Sequence, residues 1–409
     1  MRIEIPFAVR QILEKLGQSG YEGYIVGGCV RDMLLGRSPE DWDITTSARP
    51  EQVKELFKRT IDTGIQHGTV TVMMDHVGYE VTTYRVDGTY SDGRHPDQVV
   101  FTPSLIEDLK RRDFTINAMA YSPAAGLVDE FQGQEDLRAS IIRCVGNPAE
   151  RFSEDALRML RAIRFSAQLG FEIDPKTLEA IRLLAANLEK VSRERVQVEL
   201  TKLLMSANPQ RMSLVYDTGL APFVGEAFGG LGETGWRPSL SGGLPVKKPL
   251  RWAAFLREAG PEQARKILKG LKLDNDTISR TETLVRFWAV PLSEEKPDIR
   301  RGMSVMGAEL FGDLLDLKEG LAGSKETEEA KPEEIRRIRL LKDEILADGD
   351  CLSLKDLALT GRDVMEETEL RGPLVGQCLN RLLQLVLEDP KRNQREYLLQ
   401  SLREFSIIE

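Results

Sequence analysis

The apolar positions of this chain change period in its first part and hold one period afterwards. Through residue 142, helical and alternating patterns interleave. "MRIEIPFAVRQILEKLG" has the spacing of an amphipathic helix. "YEGYIVGG" predicts a strand, "VRDMLLG" a short helix, "DWDITTSA" another strand, and "PEQVKELFKR" a helix with proline near its first position. "HGTVTVMM" and "YEVTTYRV" alternate apolar and polar residues around "DHVG", the pattern of a β-hairpin. Asp87 to Gln98, "DGTYSDGRHPDQ", is a polar loop of turn formers, after which "LIEDLKRRDFTINAMAYS" resumes helix and then strand.

From about residue 150 the strand signals largely vanish. "SEDALRMLRAIRFSAQLG" and "DPKTLEAIRLLAANLEKV" read as continuous amphipathic helices, and "SRERVQVELTKLLM" opens on a serine start signal. "FGGLGETGWRPSLSGGLPVKKP" reads as a loop or linker and "GSKETEEAKPEE" as a charged break between helices. The expected architecture is an α+β N-terminal head followed by an all-α remainder.

Composition narrows the class. With 409 residues, two to four domains are expected. No apolar run reaches the ~18 residues of a membrane span, and charges interrupt the first helix throughout, unlike a signal peptide. The four cysteines lie far apart without metal-ligand spacing, which points to a reduced, cytoplasmic protein. A net charge of −9 argues against nonspecific nucleic-acid binding by the whole surface. From Arg143 to Arg211, however, twelve Lys/Arg stand against nine Asp/Glu.

Chemistry concentrates in "YIVGGCVRDMLLGRSPEDWDITT". If "DWDITT" is a strand, Asp41 and Asp43 project from one face and Trp42 and Ile44 from the other. Two adjacent carboxylates repel unless a cation sits between them, and hard ions such as Mg²⁺ prefer such oxygens. Glu80, on the hairpin, offers a third acid; alternatively it is a strand-edge charge. A solvated DxD is the other reading of the pair. Gly27 and Gly28 would let backbone N–H groups approach a phosphate, and Arg31 could grip its oxygens. The stretch is neither a P-loop nor a dinucleotide fingerprint. Farther on, a continuous helix through Glu154–Arg164 would set Asp155 beside Arg158 and bring Arg158, Arg161 and Arg164 into one arc. An acceptor beside a donor suits the amine and ring nitrogen shared by cytosine and adenine, and leaves uracil and guanine unpaired. The other reading is a salt bridge on a solvated helix.

"GGCVRDMLLGRSPEDWDITT", "RRDFTINAMA" and "RFSEDALRMLRAIRF" together resemble the successive motifs of class II tRNA nucleotidyltransferases, the bacterial CCA-adding enzymes and their poly(A) polymerase relatives. The resemblance implies a polymerase-β-type nucleotidyltransferase head (residues 1–142) and helical neck (143–211), body (212–300) and tail (301–409). It implies template-independent addition of CCA to tRNA 3′ ends from CTP and ATP, with Mg²⁺ on Asp41 and Asp43. Glu80 would be a third catalytic acid. Gly28 and Arg31, with Gly27, would hold the triphosphate, and Arg112 the nucleotide. Asp155 and Arg158 would read the base, and Arg161 and Arg164 would support the nucleotide. Asn117 is either a ribose or active-site contact or a buried turn-stabilising residue, and Asp113 would hold Arg112. The body and tail would bind the tRNA acceptor and elbow. Relatives that add only A share these motifs. The loop Asp87–Gln98 argues against a CC-adding enzyme, and no Arg-rich segment follows the DxD stretch as in poly(A) polymerases. A catalytically inactive tRNA-binding protein is the remaining alternative.

Overall fold

The computed structural model describes residues 4–88, 99–233, 243–321 and 331–406. They divide into two compact units, residues 1–238 with 270–272 and residues 239–269 with 273–409.

The first unit opens with α1 (Phe7–Gln18), whose Val9, Ile12, Leu13 and Leu16 recur at helical spacing and are buried. Next come β1 (Gly23–Val26), α2 (Gly28–Leu34), β2 (Ile44–Thr46) and α3 (Pro50–Leu56), the last with proline at its start. β3 (Thr60–Gly64) has no counterpart among the predicted strands. The hairpin β4 (Thr69–Met74) and β5 (Val77–Thr83) turns on Asp75 and His76 alone. Both have positive φ, 47° and 66°, as a tight hairpin turn demands. β6 (Arg85–Asp87) and β7 (Val99–Phe101) pair as a small separate ribbon. Then follow α4 (Leu105–Lys110), β8 (Ala120–Ser122), β9 (Gly126–Val128), α5 (Gly133–Ala139) and β10 (Ile141–Ile142).

Seven strands form one sheet in the order β3-β4-β5-β2-β1-β8-β9. Within it β2 and β5 run parallel and the other pairs antiparallel. One face carries Ile25, Ile44 and Val81, all buried. On the other, Val26, Tyr84 and Ala120 pack with Leu105 and Leu109 of α4. This is the α+β head expected from the pattern.

Helices continue the unit: α6 (Pro148–Glu154), α7 (Leu157–Leu169), α8 (Pro175–Leu184) and α9 (Arg193–Leu204), with the short strand β11 (Glu172–Ile173) pairing β10. The expected continuous helix through Asp155 is broken there. Asp155 is extended (φ −140°, ψ 103°), and its Oδ1 accepts the Leu157 N–H at 3.0 Å. A short acidic side chain thus competes with the helical backbone and restarts the helix. Part of the expected linker is also helical, because Glu226–Glu233 continues through "FGGLGE". The second unit, as described, is helical throughout, with buried clusters such as Ile299, Met303, Phe311, Leu315, Ile335, Ile338 and Ile345. No described helix is long and apolar enough to cross a membrane.

Candidate active site

β1 ends at a glycine turn that fixes one arginine. Gly27 has φ +81°, and its N–H donates to the Met119 carbonyl at 3.2 Å. That N–H is therefore spent on the fold, so the expected two-glycine backbone cradle reduces to Gly28. Gly27 acts by lacking a side chain: a Cβ there would lie 3.1 Å from Arg112 Nη1. Arg112 is partly buried, donates from Nη2 to Asp108 at 3.4 Å, and has a buried Nε without a partner among the described residues. An under-satisfied guanidinium over bare backbone is suited to phosphate oxygens. Arg31 forks onto Asp32 through Nε and Nη2, both at 2.9 Å, and donates from Nη1 to Asn117 Oδ1 at 2.8 Å.

Asp41 and Asp43 lie in the chain just before β2, not within it as predicted. The ladder nonetheless reaches Asp43, whose carbonyl accepts the Val26 N–H at 3.0 Å. Ile44 is buried as expected, whereas Trp42 is only half-buried. Both aspartates keep solvent-exposed surface. Crowding by protein pushes the Asp43 carboxyl above the usual range, with Arg112 pulling it partly back and Asp41 adding repulsion. Extending the β2–β5 register by one residue sets Glu80 level with Asp43. Glu80 is raised by burial, then by Asp43 and Asp41. The three acids thus feel one another, but among the described residues no three His, Cys, Asp or Glu side chains are close enough to hold a metal ion together. The Asp41–Asp43 pair remains a fitting donor set, since Mg²⁺ often binds one or two carboxylates plus substrate phosphates.

The arginines of α7 face this site differently from expectation. Asp155 Oδ2 accepts from Arg195 Nη2 at 2.8 Å, not from Arg158. Arg158 Nη1 donates to Glu154 at 2.6 Å, and its Nη2 donates to the Arg111 carbonyl at 3.1 Å. Arg161 forks onto Asp113 Oδ2 at 2.9 and 2.6 Å. Asp113 therefore holds Arg161 and not Arg112. Burial would raise the Asp113 carboxyl, but the Arg161 guanidinium overrides it and brings it down to about 2. Asn117 Nδ2 donates to Asp113 Oδ1 at 3.3 Å, so the buried amide bridges Arg31 to Asp113. Arg164 pairs with buried Glu199 and donates to Gln168 at 2.6 Å. The Phe165 ring lies against three guanidiniums, Arg164 at 3.8, Arg31 at 5.2 and Arg161 at 5.4 Å from its centroid. The loop expected at Asp87–Gln98 lies outside the described residues from 89 to 98.

Known proteins match this chain over most of its length. The model of the "Poly A polymerase head domain" matches residues 23–143, the "Probable RNA and SrmB- binding site of polymerase A" residues 170–226, and "tRNA nucleotidyltransferase domain 2" residues 247–402. The CCA-adding enzyme of Limosilactobacillus fermentum is 39% identical over 405 residues, covering 96% of this chain and 95% of that protein. The chain belongs to the CCA-adding enzyme family. The Enterococcus faecalis CCA-adding enzyme is likewise 39% identical, over 95% of this chain and 93% of its own length. The crystal structure of the Bacillus stearothermophilus CCA-adding enzyme in complex with CTP superposes with a TM-score of 0.83 and 33% identity, covering 98% and 97% of the two chains.

Within this CCA-adding family member, sequence reasoning missed several side chains that shape the site. Asp32, adjacent to Arg31, and Asp108, three and four residues before Arg111 and Arg112, carry local spacing signals. Arg195, Glu199 and Phe165 carry none that separates them from ordinary helix residues.

Proposed function

We propose that this chain builds the CCA end of tRNA by template-independent transfer of CMP and AMP from CTP and ATP, with Asp41 and Asp43 holding Mg²⁺. The reading is carried by one observation: a repelling aspartate pair stands beside a glycine turn under Arg112, whose buried Nε lacks a partner. The bound metal would lower the pKa of the RNA 3′-hydroxyl and neutralise the triphosphate.

This chain's residues supply position and charge. Arg31, Arg112 and the Gly28 backbone grip the triphosphate, and Gly27 leaves room for the Arg112 guanidinium. The 3′-hydroxyl oxygen attacks the α-phosphorus in line; the new P–O bond forms as the bond to the pyrophosphate oxygen breaks. Glu80, its carboxyl raised by burial and by Asp43 and Asp41, takes the hydroxyl proton in this reading. Asp155 and Arg158 present the acceptor and donor that cytosine and adenine both satisfy, and Arg161 and Arg164 support the nucleotide. Reading a base requires Arg158 to exchange its present carbonyl and Glu154 contacts for the nucleotide. Residues 1–142 act as head, 143–211 as neck, 212–300 as body and 301–409 as tail, the last two contacting tRNA by shape and phosphate. Cys29, Cys144 and Cys351 are buried free thiols, which supports a reducing, cytoplasmic setting.

The test is incubation with tRNA ending at the discriminator base, at C and at CC, each with CTP, ATP or both. Completion of all three to CCA supports the reading. Extension of the CC substrate alone identifies an A-adding enzyme, and unlimited AMP addition a poly(A) polymerase; either would overturn it.

A further inference from the structure

Asp108 is the most thoroughly enclosed carboxylate of the head, with no exposed surface. A buried charge is costly unless paired and hydrogen-bonded, and this one is surrounded on every side. Its Oδ1 accepts from Arg111 Nε at 2.9 Å, from Arg111 Nη2 at 2.8 Å, and from the Arg85 N–H at 3.4 Å. Its Oδ2 accepts from Thr45 Oγ1 at 3.1 Å and Arg112 Nη2 at 3.4 Å. Thr45 stands two residues after Asp43 on the same face of its strand. Arg85 begins β6, the ribbon strand that leads toward residue 88. One carboxylate thereby ties β2, which follows the aspartate pair, to the ribbon and to two consecutive arginines.

The unequal sharing of this carboxylate gives the knot a direction. Arg111 and Arg112 both donate to it, but not alike. Arg111 takes the short, forked bonds, whereas Arg112 has a single long one, an unpartnered Nε, and its Nη1 over Gly27. Asp108 thus holds Arg112 at one nitrogen and leaves the rest of its fork turned to the glycine turn. The carboxylate itself is sealed off and cannot touch a substrate.

We propose that Asp108 is a positioning residue for nucleotide binding, one that acts through Arg112 by presenting its guanidinium to the triphosphate over Gly27. This rests on the nucleotidyl-transfer reading above. A residue that merely stabilised the head would impair nucleotide and tRNA alike.

The test measures KM for CTP, ATP and tRNA, and Tm, in the full-length protein. Asp108→Asn is expected to raise KM for CTP and ATP together, by about tenfold to a hundredfold, with KM for tRNA unchanged. In an Arg112→Ala background the same change is expected to cost nothing further, because both substitutions remove one function. If Asp108→Asn does not fold, Asp108→Glu carries the test, with a smaller rise in KM for both nucleotides. Unchanged nucleotide KM, an equal rise in tRNA KM, or an undiminished loss in the Arg112→Ala background would overturn the proposal. Wild-type protein without CMP incorporation would instead overturn the reading beneath it.

Discussion

Asp155 is held by Arg195, 2.8 Å away on α9, and not by Arg158 on its own stretch of chain. The break in the helix at Asp155 separates the two residues that a continuous helix would have set side by side. One carboxylate oxygen caps α7 and the other meets Arg195, so its orientation is fixed from two directions. Arg195→Ala is expected to lower kcat/KM for CTP and ATP by about tenfold, less than Asp155→Ala, and to raise UMP incorporation relative to CMP. Nucleotide competition assays with tRNA ending at the discriminator base measure both.

Gly27 and Gly28 are expected to respond differently to alanine. At Gly27 a Cβ requires the left-handed region and meets Arg112 Nη1 at 3.1 Å; at Gly28 it meets only Arg31 Nη2, at 3.6 Å. Gly27→Ala should cost about 1–2 kcal/mol of stability and raise KM for CTP, while Gly28→Ala stays closer to wild type. Thermal melts and initial rates distinguish them.

The ion pair of Asp113 and Arg161 makes the acid side of stability specific. A carboxyl held below its unfolded value adds stability above that value and loses it as pH falls through the folded one. For Asp113 the window runs from 3.8 down to about 2. Asp113→Asn is therefore expected to cost about 2 kcal/mol at neutral pH, and the gap to wild type should close across that window. Unfolding followed at several pH values checks it.

Asp43 has the opposite sign. Its folded carboxyl is raised, so the charged form is penalised, and stability linked to protonation is lost as pH rises through the folded value. At neutral pH without divalent cation, Asp43→Asn should raise Tm slightly, by about 1–2 °C given its exposure. The same variant should lose the stabilisation that Mg²⁺ and CTP give the wild type.

Much of this site is legible in sequence because its chemistry is local. The glycines, Arg31, Asp41 and Asp43 fall within one short stretch, and the strand, helix and hairpin patterns around them form much as their periodicity implies. What the pattern missed depends on contacts between distant segments. One miss is local: the spacing of Asp155 and Arg158 is compatible with a helix, but the Asp155 side chain accepts the Leu157 N–H and the backbone turns extended there. Asp113 lies beside Arg112 in sequence, yet tertiary packing gives it to Arg161, forty-eight residues away. Residues such as Arg195 and Glu199 resemble any solvated helix charge until their partners are placed.

The central claim is that the Asp41–Asp43 pair carries nucleotidyl transfer. Its most direct test is single-turnover incorporation of labelled CMP into tRNA lacking CCA, by wild type and Asp43→Ala, with tRNA affinity measured in parallel. The account expects incorporation to fall by about three orders of magnitude or more while tRNA binding stays within about twofold. Undiminished incorporation by folded Asp43→Ala protein would contradict it.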